Sequence, residues 1–224
     1  MEKGWKLSPS DHFWNSMPAS EHRNTRIYLI RHGKPEFPYT NEPGRWISGK
    51  EFNRLSELYS ESALKDEWNA SRLARHKAEI LAAIRKTRPL SSDLLRARQT
   101  AELLLDRTEN LEVSEVFREV PLPTVPELLV LPAYWHLVLA RLLWYGGKGS
   151  DEPKSQALER ARKAAEIIEG HEQYSPVSLF SHGFFLYILT KELIRRGWHC
   201  EETRPMKYLE IRSFHRVDHP RKSS

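Results

Sequence analysis

Cysteine is almost absent from this chain. Cys200 is the only one among 224 residues, which excludes an internal disulfide and makes a reducing compartment the simplest expectation. The first residues contain no apolar run of the kind that marks a secretory signal. We therefore expect a cytoplasmic protein. A chain of this length can bury roughly 70% of its unfolded surface, so its core needs no disulfide support.

Long hydrophobic runs are also missing. The most apolar stretch, residues 128–145, is interrupted by Pro132, His136 and Arg141, which makes it too polar for a membrane span. We interpret this stretch as a helix and expect no membrane partner. Trp135 and His136 lie on it, and packing is the simpler interpretation of both, with a lid over a site as the alternative.

Metal-binding and nucleic-acid-binding motifs are absent as well. His171, His199, His215 and His219 have no cysteine or carboxylate partner at the spacing of metal ligands, so we expect no metal site. The net charge is +5, but the basic residues are scattered and accompany no zinc-finger, helix-turn-helix or RNP pattern. We expect no nucleic-acid partner, and the sequence leaves the oligomeric state open.

The chain does contain a regular alternation of strand-like and helix-like segments. Short apolar runs predict strands at 26–31, 89–91, 111–117, 177–181 and 207–214. Apolar residues at helical spacing predict the helices between them, at 50–62, 66–86, 92–106, 128–145, 152–169 and 184–196. This order predicts an α/β protein, a three-layer α/β/α sandwich with a mostly parallel central sheet.

The domain organisation follows from the lack of an internal linker. We expect residues 25–224 to form one domain, preceded by a surface extension at 1–24, with 120–150 as a candidate cap segment.

Residues that favour helix ends occur at two of the predicted helix boundaries. Ser92 or Asp93 is the predicted N-cap of the helix at 92–106, and Gly170 is the predicted C-cap of the helix at 152–169.

Two of the predicted strands run directly into a histidine followed by a glycine. The first strand ends in Arg31 and His32, and the strand at 177–181 leads into His182. Ligands bind at the carboxyl ends of parallel strands, so both histidines are candidates for one site. The planar fork of an arginine matches phosphate oxygens, and a neutral imidazole can attack phosphorus. The pattern therefore indicates an anion site with a nitrogen nucleophile.

Two further residues fit the same kind of site. Arg96 falls in the first turn of the helix after the short strand at 89–91, where free N–H groups and the helix dipole favour an anion. Glu119 lies just past the strand predicted at 111–117. It is either a residue of the site or a surface carboxylate paired with Arg118.

In these segments the chain resembles the histidine phosphatase superfamily, whose fold is phosphoglycerate-mutase-like. The resemblance spans about residues 26–190 and rests on three motifs in the family's order, Leu29-Ile30-Arg31-His32-Gly33, Ser92 through Ala101, and Ser181-His182-Gly183. It implies a phosphatase that hydrolyses a small phosphomonoester and needs no metal or other cofactor.

The resemblance also implies a role for each residue. His32 would be the nucleophile that becomes phosphohistidine, and Arg31 and Arg96 would hold the phosphoryl oxygens. His182 would donate a further hydrogen bond to those oxygens. Glu119 would be the general acid, which must hold its proton near neutral pH through partial burial or a nearby phosphate. Three other carboxylates are alternatives for that role, Glu115, Glu127 and Asp151.

The chain departs from the family pattern next to the nucleophile. Mutase-like members carry a small hydroxyl residue and an asparagine after Arg-His-Gly, and residues 34–38 contain neither. Lys34 adds a positive charge there that either binds a substrate phosphate or carboxylate or points to solvent. These differences favour a divergent phosphatase over a glycolytic mutase. A mutase-type phosphotransferase and an inactive module that binds a phosphorylated ligand remain the alternatives.

Overall fold

The structure is a computed structural model that describes residues 26–37, 42, 44–59, 61–74, 76, 78–172 and 175–216. The predicted N-terminal extension at 1–24 lies outside the described residues.

The strands of the described chain form a large and a small sheet. In chain order they are β1 (Arg26–Arg31), β2 (Trp46–Ser48), β3 (Arg88–Ser92), β4 (Glu112–Ser114), β5 (Val130–Pro132), β6 (Val177–Ser181), β7 (Trp198–His199) and β8 (Ile211–Arg216). The large sheet has the order β4-β3-β6-β1-β8-β7. Its first four strands are mutually parallel, and β8 is antiparallel to β1 and β7. The prediction of a mostly parallel sheet is confirmed.

The helices of the described chain alternate with these strands. They are α1 (Gly49–Tyr59), α2 (Asp66–Leu73), α3 (Ala78–Ile84), α4 (Leu95–Leu104), α5 (Ala133–Tyr145), α6 (Lys154–Glu172) and α7 (Gly183–Arg195), with a 3-10 turn at Glu115–Phe117. In the ranges that the structure covers, no helix combines the length and apolarity that crossing a membrane requires.

Three helix predictions are wrong in detail. The helix predicted at 66–86 is divided into α2 and α3, with a turn in which His76 N–H donates to the Leu73 carbonyl at 3.0 Å. Helix α6 continues through Gly170 to Glu172, because Gly170 is not in the left-handed region that ends a helix. The apolar stretch at 128–145 is helical only from Ala133, because the residue before Pro132 is disfavoured in a helix.

Helices cover both faces of the large sheet. The side chains of β1 alternate, so that Ile27 and Leu29 pack into one core with residues of α6 and α7. Tyr28 and Ile30 pack into a second core with residues of α3 and α4. Each fully buried aliphatic side chain of this kind contributes roughly 1.5–3 kcal/mol to stability. The three-layer sandwich is therefore confirmed.

A smaller body is built around the short strands. β2 pairs antiparallel with β5, and α1 and α5 enclose a third core that includes Phe52, Leu55 and Ala140. His136 is part of this packing, because its ring stacks on Phe52 at 5.2 Å and Nε2 contacts the Ile47 carbonyl at 3.0 Å. Most of the predicted cap segment, 120–150, lies in this smaller body, which we call the cap.

The pairing of β1 with β6 brings the two histidine motifs together. Arg31 lies opposite Ser181 in the parallel register, and His32 N–H donates to the Ser181 carbonyl at 2.9 Å. His32 and His182 therefore leave the sheet side by side, at the carboxyl ends of adjacent strands. The topology thus brings the two motifs to the edge of the sheet at which ligands bind in open α/β sheets.

Candidate active site

His32 is buried at the end of β1 with one ring nitrogen committed to the backbone. Nδ1 lies 2.7 Å from the carbonyl oxygen of Gly33. Because a carbonyl oxygen can only accept, Nδ1 carries the ring proton and Nε2 has the free lone pair. Nε2 in turn accepts from Arg96 Nε at 3.3 Å. The backbone thus holds His32 in the tautomer that a nucleophile at Nε2 requires.

Arg96 lies beside this nitrogen in the first turn of α4, as the sequence predicts. Its side chain is buried, and Nη1 donates to the Tyr59 carbonyl at 3.0 Å. The guanidinium carbon lies 4.5 Å from the centre of the Tyr59 ring. The fork is therefore fixed by the last residue of α1 with Nε directed at His32.

Ser92 and Asp93 are not the N-cap of α4. The N-cap residue is Leu94, and no side chain caps the helix. Both predicted caps have other partners, because Ser92 Oγ contacts His182 and the Asp93 carboxylate binds Arg118. Ser92 thus supports the second histidine instead.

Arg31 is held by the segment that precedes β8. Nη1 donates to the Met206 carbonyl at 2.6 Å, and the guanidinium carbon lies 4.1 Å from the centre of the Tyr208 ring. Arg31 Nε is buried without a hydrogen-bond partner. An added Cβ on Gly183 would lie 2.9 Å from that nitrogen, so any other residue there would displace the guanidinium. Arg31 therefore has an unsatisfied donor at the end of the sheet.

His182 completes the group of four side chains. Its ring is fully buried, with Nε2 at 2.9 Å from Ser92 Oγ and its ring centre at 5.0 Å from that of His32. Nδ1 is buried without a hydrogen-bond partner. Ser92 Oγ already accepts the N–H of Leu94, so its hydroxyl proton is available to Nε2. That arrangement leaves Nδ1 as a donor for a bound anion.

Burial and positive neighbours keep both histidines neutral. Burial, followed by the charge of Arg96, holds the pKa of His32 well below its ordinary value, and His182 and Arg31 contribute further. The pKa of His182 is lowered in the same way by burial, then by Arg96 and Arg31. A neutral imidazole is the form that can attack phosphorus. The two arginines thus supply the positive charge of the site.

Glu119 lies at the N-terminus of α7, on the side of His182. Its carboxylate accepts backbone N–H groups from Val120 and Phe185 at 2.9 Å and from Phe184 at 3.1 Å. It is not paired with Arg118, which binds both carboxylate oxygens of Asp93. The helix N-terminus thus orients the Glu119 carboxylate toward the cavity between the sheet and the cap.

That cavity has a volume of about 910 Å³. Arg31, Arg96 and Glu119 line it from the sheet side, and residues of α1, α5 and the segment at 120–124 line it from the cap. Asp151 also lines the cavity. Glu115 is an exposed residue 4.0 Å from Arg118, and the backbone of Glu127 binds Lys50 N–H. Neither of these two carboxylates belongs to the cavity wall.

The backbone of Lys34 is fixed by a residue that sequence reasoning missed. Asn69 is buried, and its amide group accepts the Lys34 N–H at 2.8 Å and donates to the Lys34 carbonyl at 2.9 Å. Gly33 N–H donates to Thr100 Oγ1 at 2.9 Å, and a Cβ on Gly33 would clash with the Asn69 amide. Lys34 itself is not among the residues that line the cavity.

Tyr59 and Tyr208 were also missed. Each lies under one arginine, and their hydroxyl groups are 3.5 Å apart. Leu209, the residue after Tyr208, has a φ of 56° and a buried side chain, and its N–H points to the His32 carbonyl at 3.4 Å. Neither tyrosine lies in a motif, and no local signal identifies them. Within the described ranges, no group of three or more His, Cys, Asp or Glu residues is arranged to hold a metal ion.

The comparison with protein families decides the identity of this arrangement. The model of the histidine phosphatase superfamily (branch 1) matches residues 27–221. The chain belongs to this superfamily. The predicted resemblance and the phosphoglycerate-mutase-like fold are thereby confirmed. No curated protein sequence matches the chain significantly.

Solved structures share this histidine phosphatase fold. The product of open reading frame Rv3214 from Mycobacterium tuberculosis is 21% identical with a TM-score of 0.57, covering 85% of this chain and 91% of that one. A mycobacterial glucosyl-3-phosphoglycerate phosphatase, Rv2419c, is 20% identical with a TM-score of 0.53, covering 84% and 89%. Phosphoglycerate mutase from Thermus thermophilus is 24% identical with a TM-score of 0.52, covering 88% and 94%. At these identities the likeness shows the fold alone.

Proposed function

We propose that this histidine phosphatase superfamily member hydrolyses a phosphomonoester through a phosphohistidine on His32. The observation that carries the proposal is the environment of His32. Nδ1 is tied to the Gly33 carbonyl, and Nε2 has its lone pair beside the Arg96 guanidinium. This places a neutral nucleophile against a group that binds phosphoryl oxygens.

The unsatisfied donors support a bound tetrahedral anion. Arg31 Nε and His182 Nδ1 are both buried without partners, and buried polar groups are rarely left unpaired. Together with Arg96 they provide donors on three side chains for the oxygens of a phosphoryl group. Such donors stabilise the charge of the transition state without having to reorganise.

In the first step, His32 Nε2 forms a bond to phosphorus while the bond between phosphorus and the ester oxygen breaks. Glu119 gives its proton to the departing alcohol. In the free site its carboxylate accepts three backbone N–H groups. The dianionic ester is what favours the protonated form of a carboxylate beside it.

In the second step, water attacks phosphorus and the bond from phosphorus to Nε2 breaks. The Glu119 carboxylate takes a proton from this water, and inorganic phosphate and neutral His32 remain. Glu119 is in the carboxylate form for this step because it gave up its proton in the first one. Proton transfer by a positioned group of this kind contributes about 10²–10⁴-fold to a rate.

An assay of an aryl phosphate in the presence of a chelator tests the proposal. We expect turnover by the wild type and none by His32→Ala, whereas His199→Ala, which changes an exposed histidine, keeps the wild-type rate. Acid quenching during turnover followed by peptide mapping locates the phosphoryl group on His32. A His32→Ala variant that is folded and as fast as the wild type would falsify the mechanism.

The mutase-type alternative is separated by its products. A phosphotransferase would pass the phosphoryl group to the hydroxyl of a sugar acid, so a phosphoglycerate would yield its isomer. We expect inorganic phosphate to be the product instead. Isomer formation faster than phosphate release would contradict hydrolysis as the main reaction and leave the role of His32 intact.

A further inference from the structure

Beyond the arginines that surround the phosphoryl site, the cavity wall contains two more cations, Arg118 and Arg141. Arg118 is neutralised by the Asp93 carboxylate, which it binds through two nitrogens, and it lies 4.0 Å from Glu115. It therefore offers little attraction to a further anion.

Arg141 is held by neutral groups. Nη2 donates to the Val120 carbonyl at 3.2 Å, and the guanidinium carbon lies 3.9 Å from the centre of the Phe184 ring. Burial lowers the pKa of Arg141, and the charge of Glu119 opposes that shift. Arg141 forms no ion pair with any described residue, so it leaves one positive charge in the wall.

Three carboxylates of the cavity wall outnumber this single cation. Glu57, Glu61 and Asp151 line the cavity and are exposed. No ion pair in the described part of the chain includes any of them. The outer part of the cavity is therefore negative, in contrast to the positive phosphoryl site at its floor.

The remaining wall is aromatic and apolar. Tyr59, Phe184 and Tyr187 line it together with Leu122, Leu137 and Met206. Phe184 and Tyr187 are stacked with ring centres 6.2 Å apart and form one continuous face. A leaving group that fills this space gains from the burial of apolar surface.

We propose that the substrate's alcohol is neutral or cationic, has an aromatic or apolar body, and carries no second anionic group. This rests on the proposed phosphatase function. The buried, unpartnered Nδ1 of His182 and Nε of Arg31 bind the phosphoryl group at the floor. The unbalanced carboxylates then face the rest of the substrate, where they repel an anion and attract a cation.

The size of this effect follows from Coulomb's law. Two unit charges about 8 Å apart in water change a binding constant roughly twofold. An ammonium and a carboxylate differ by two charges, and each interacts with a wall whose three carboxylates are offset in part by Arg141. We therefore expect kcat/KM at low salt to be at least about tenfold higher for a cationic leaving group than for an anionic one. This difference should fall as salt is added, because the Debye length shrinks to about 8 Å near physiological ionic strength and the charges are screened.

The experiment uses three aryl esters with closely similar leaving phenols, the phosphates of tyramine, tyrosol and para-hydroxyphenylacetic acid. We expect kcat/KM to fall in that order, by at least about tenfold from first to last, and the spread to narrow as salt is added. Equal values, or the highest value for the carboxylate, would overturn the substrate class while leaving the phosphatase function intact. Loss of all three activities would instead contradict the proposed function.

The apolar body is tested with alkyl esters of similar leaving alcohols. Hexyl phosphate should exceed propyl phosphate by about tenfold or more in kcat/KM, because each buried methylene favours binding. Equal values for the two esters would overturn this part of the proposal.

Charge-neutralising variants connect the preference to the named residues. Glu57→Gln/Glu61→Gln should reduce the ratio between the tyramine and carboxylate esters by at least about threefold. Asp151→Asn should reduce it in the same direction. The matched control Glu102→Gln/Glu109→Gln changes two exposed glutamates outside the cavity wall and should keep the wild-type ratio. If the ratio stays at the wild-type value in Glu57→Gln/Glu61→Gln and also in Asp151→Asn, the preference comes from other groups and the proposed role of these carboxylates is rejected.

Discussion

Tyr59 contacts Arg96 through both its backbone and its ring. The Tyr59 carbonyl accepts from Arg96 Nη1 at 3.0 Å, and the ring centre lies 4.5 Å from the guanidinium carbon. Burial, followed by the proximity of Tyr208, raises the pKa of the Tyr59 phenol well above its ordinary value, so the ring stays neutral. The arginine that faces His32 is therefore positioned from the cap.

Substitution of Tyr59 should impair substrate binding through Arg96. A cation–π contact contributes about 0.5–2 kcal/mol, so Tyr59→Leu should raise KM for an aryl phosphate about 3- to 30-fold. Tyr59→Phe keeps the ring and the carbonyl and should stay within about threefold of the wild type. Inhibition by inorganic phosphate should weaken in parallel in Tyr59→Leu. A KM for Tyr59→Leu equal to that of Tyr59→Phe would show that the ring does not position Arg96.

Gly183 should be sensitive to a single added methyl group. A Cβ at this position would lie 2.9 Å from Cζ and Nε of Arg31, so Gly183→Ala must displace the guanidinium. We expect a loss of about tenfold or more in kcat/KM. Gly170→Ala is the matched control, because that helical glycine has nothing within 4 Å of an added Cβ. The control should keep its activity and gain up to about 1 kcal/mol in unfolding free energy. Equal activity of both variants would contradict the role of Gly183.

Folding stability should fall in acid because of the two buried histidines. Their pKa values in the folded protein lie well below the ordinary value of 6.5, mainly because of burial. Below that value the unfolded chain binds more protons than the folded protein, so the stability that is present above pH 6.5 is lost as the pH falls. Each histidine contributes up to about 1.4 kcal/mol per pH unit.

Urea unfolding at several pH values measures this loss. His32→Gln should have a shallower decrease between pH 6.5 and acid than the wild type. His199→Gln, at an exposed position, should follow the wild type. An unchanged slope in His32→Gln would show that His32 takes up its proton in the folded state.

Glu119→Gln should separate substrates by their leaving groups. A poor leaving group needs a proton and an aryl oxide does not, so the first step should slow by about 10²-fold or more for an alkyl phosphate and far less for a nitrophenyl phosphate. Gln keeps an oxygen that can accept the N–H groups of Val120 and Phe185, which share one carboxylate oxygen, and it loses the acceptor of the Phe184 N–H. Single-turnover kinetics measures the two rates. An equal decrease for both esters would exclude Glu119 as the acid of the first step.

The parts of the fold that were predictable from sequence are those with strong local patterns. β1 and β6 are buried on both faces, and each is a short run rich in apolar residues that ends at a histidine motif, although β6 includes the buried Ser178. β2 and β5 have only three residues each, too few for a period to be visible. Their existence depends on the pairing of Trp46 with Pro132, which is a tertiary contact.

The residues of the candidate site also fall into those that a local sequence pattern predicts and those that it does not. Arg31, His32, Arg96 and His182 lie in motifs at the ends of strands, and the parallel register brings them together. Asn69, Tyr59 and Tyr208 act on these residues from segments whose composition is ordinary. Their positions follow only from how α1, α2 and the segment before β8 pack against the sheet. The sequence predicts Ser92 as a helix N-cap, whereas in the structure Ser92 contacts His182. This contact joins residues far apart in the chain, so no local pattern indicates it.

The pairing of Ile27 with Val177 has a consequence for biosynthesis. His32 is translated before β6 and the Tyr208 segment, which support its position. A nascent chain therefore has no complete candidate site until both of these segments have emerged. During refolding, turnover should accordingly recover only when β1 has paired with β6. Chains truncated before β6 should have no activity.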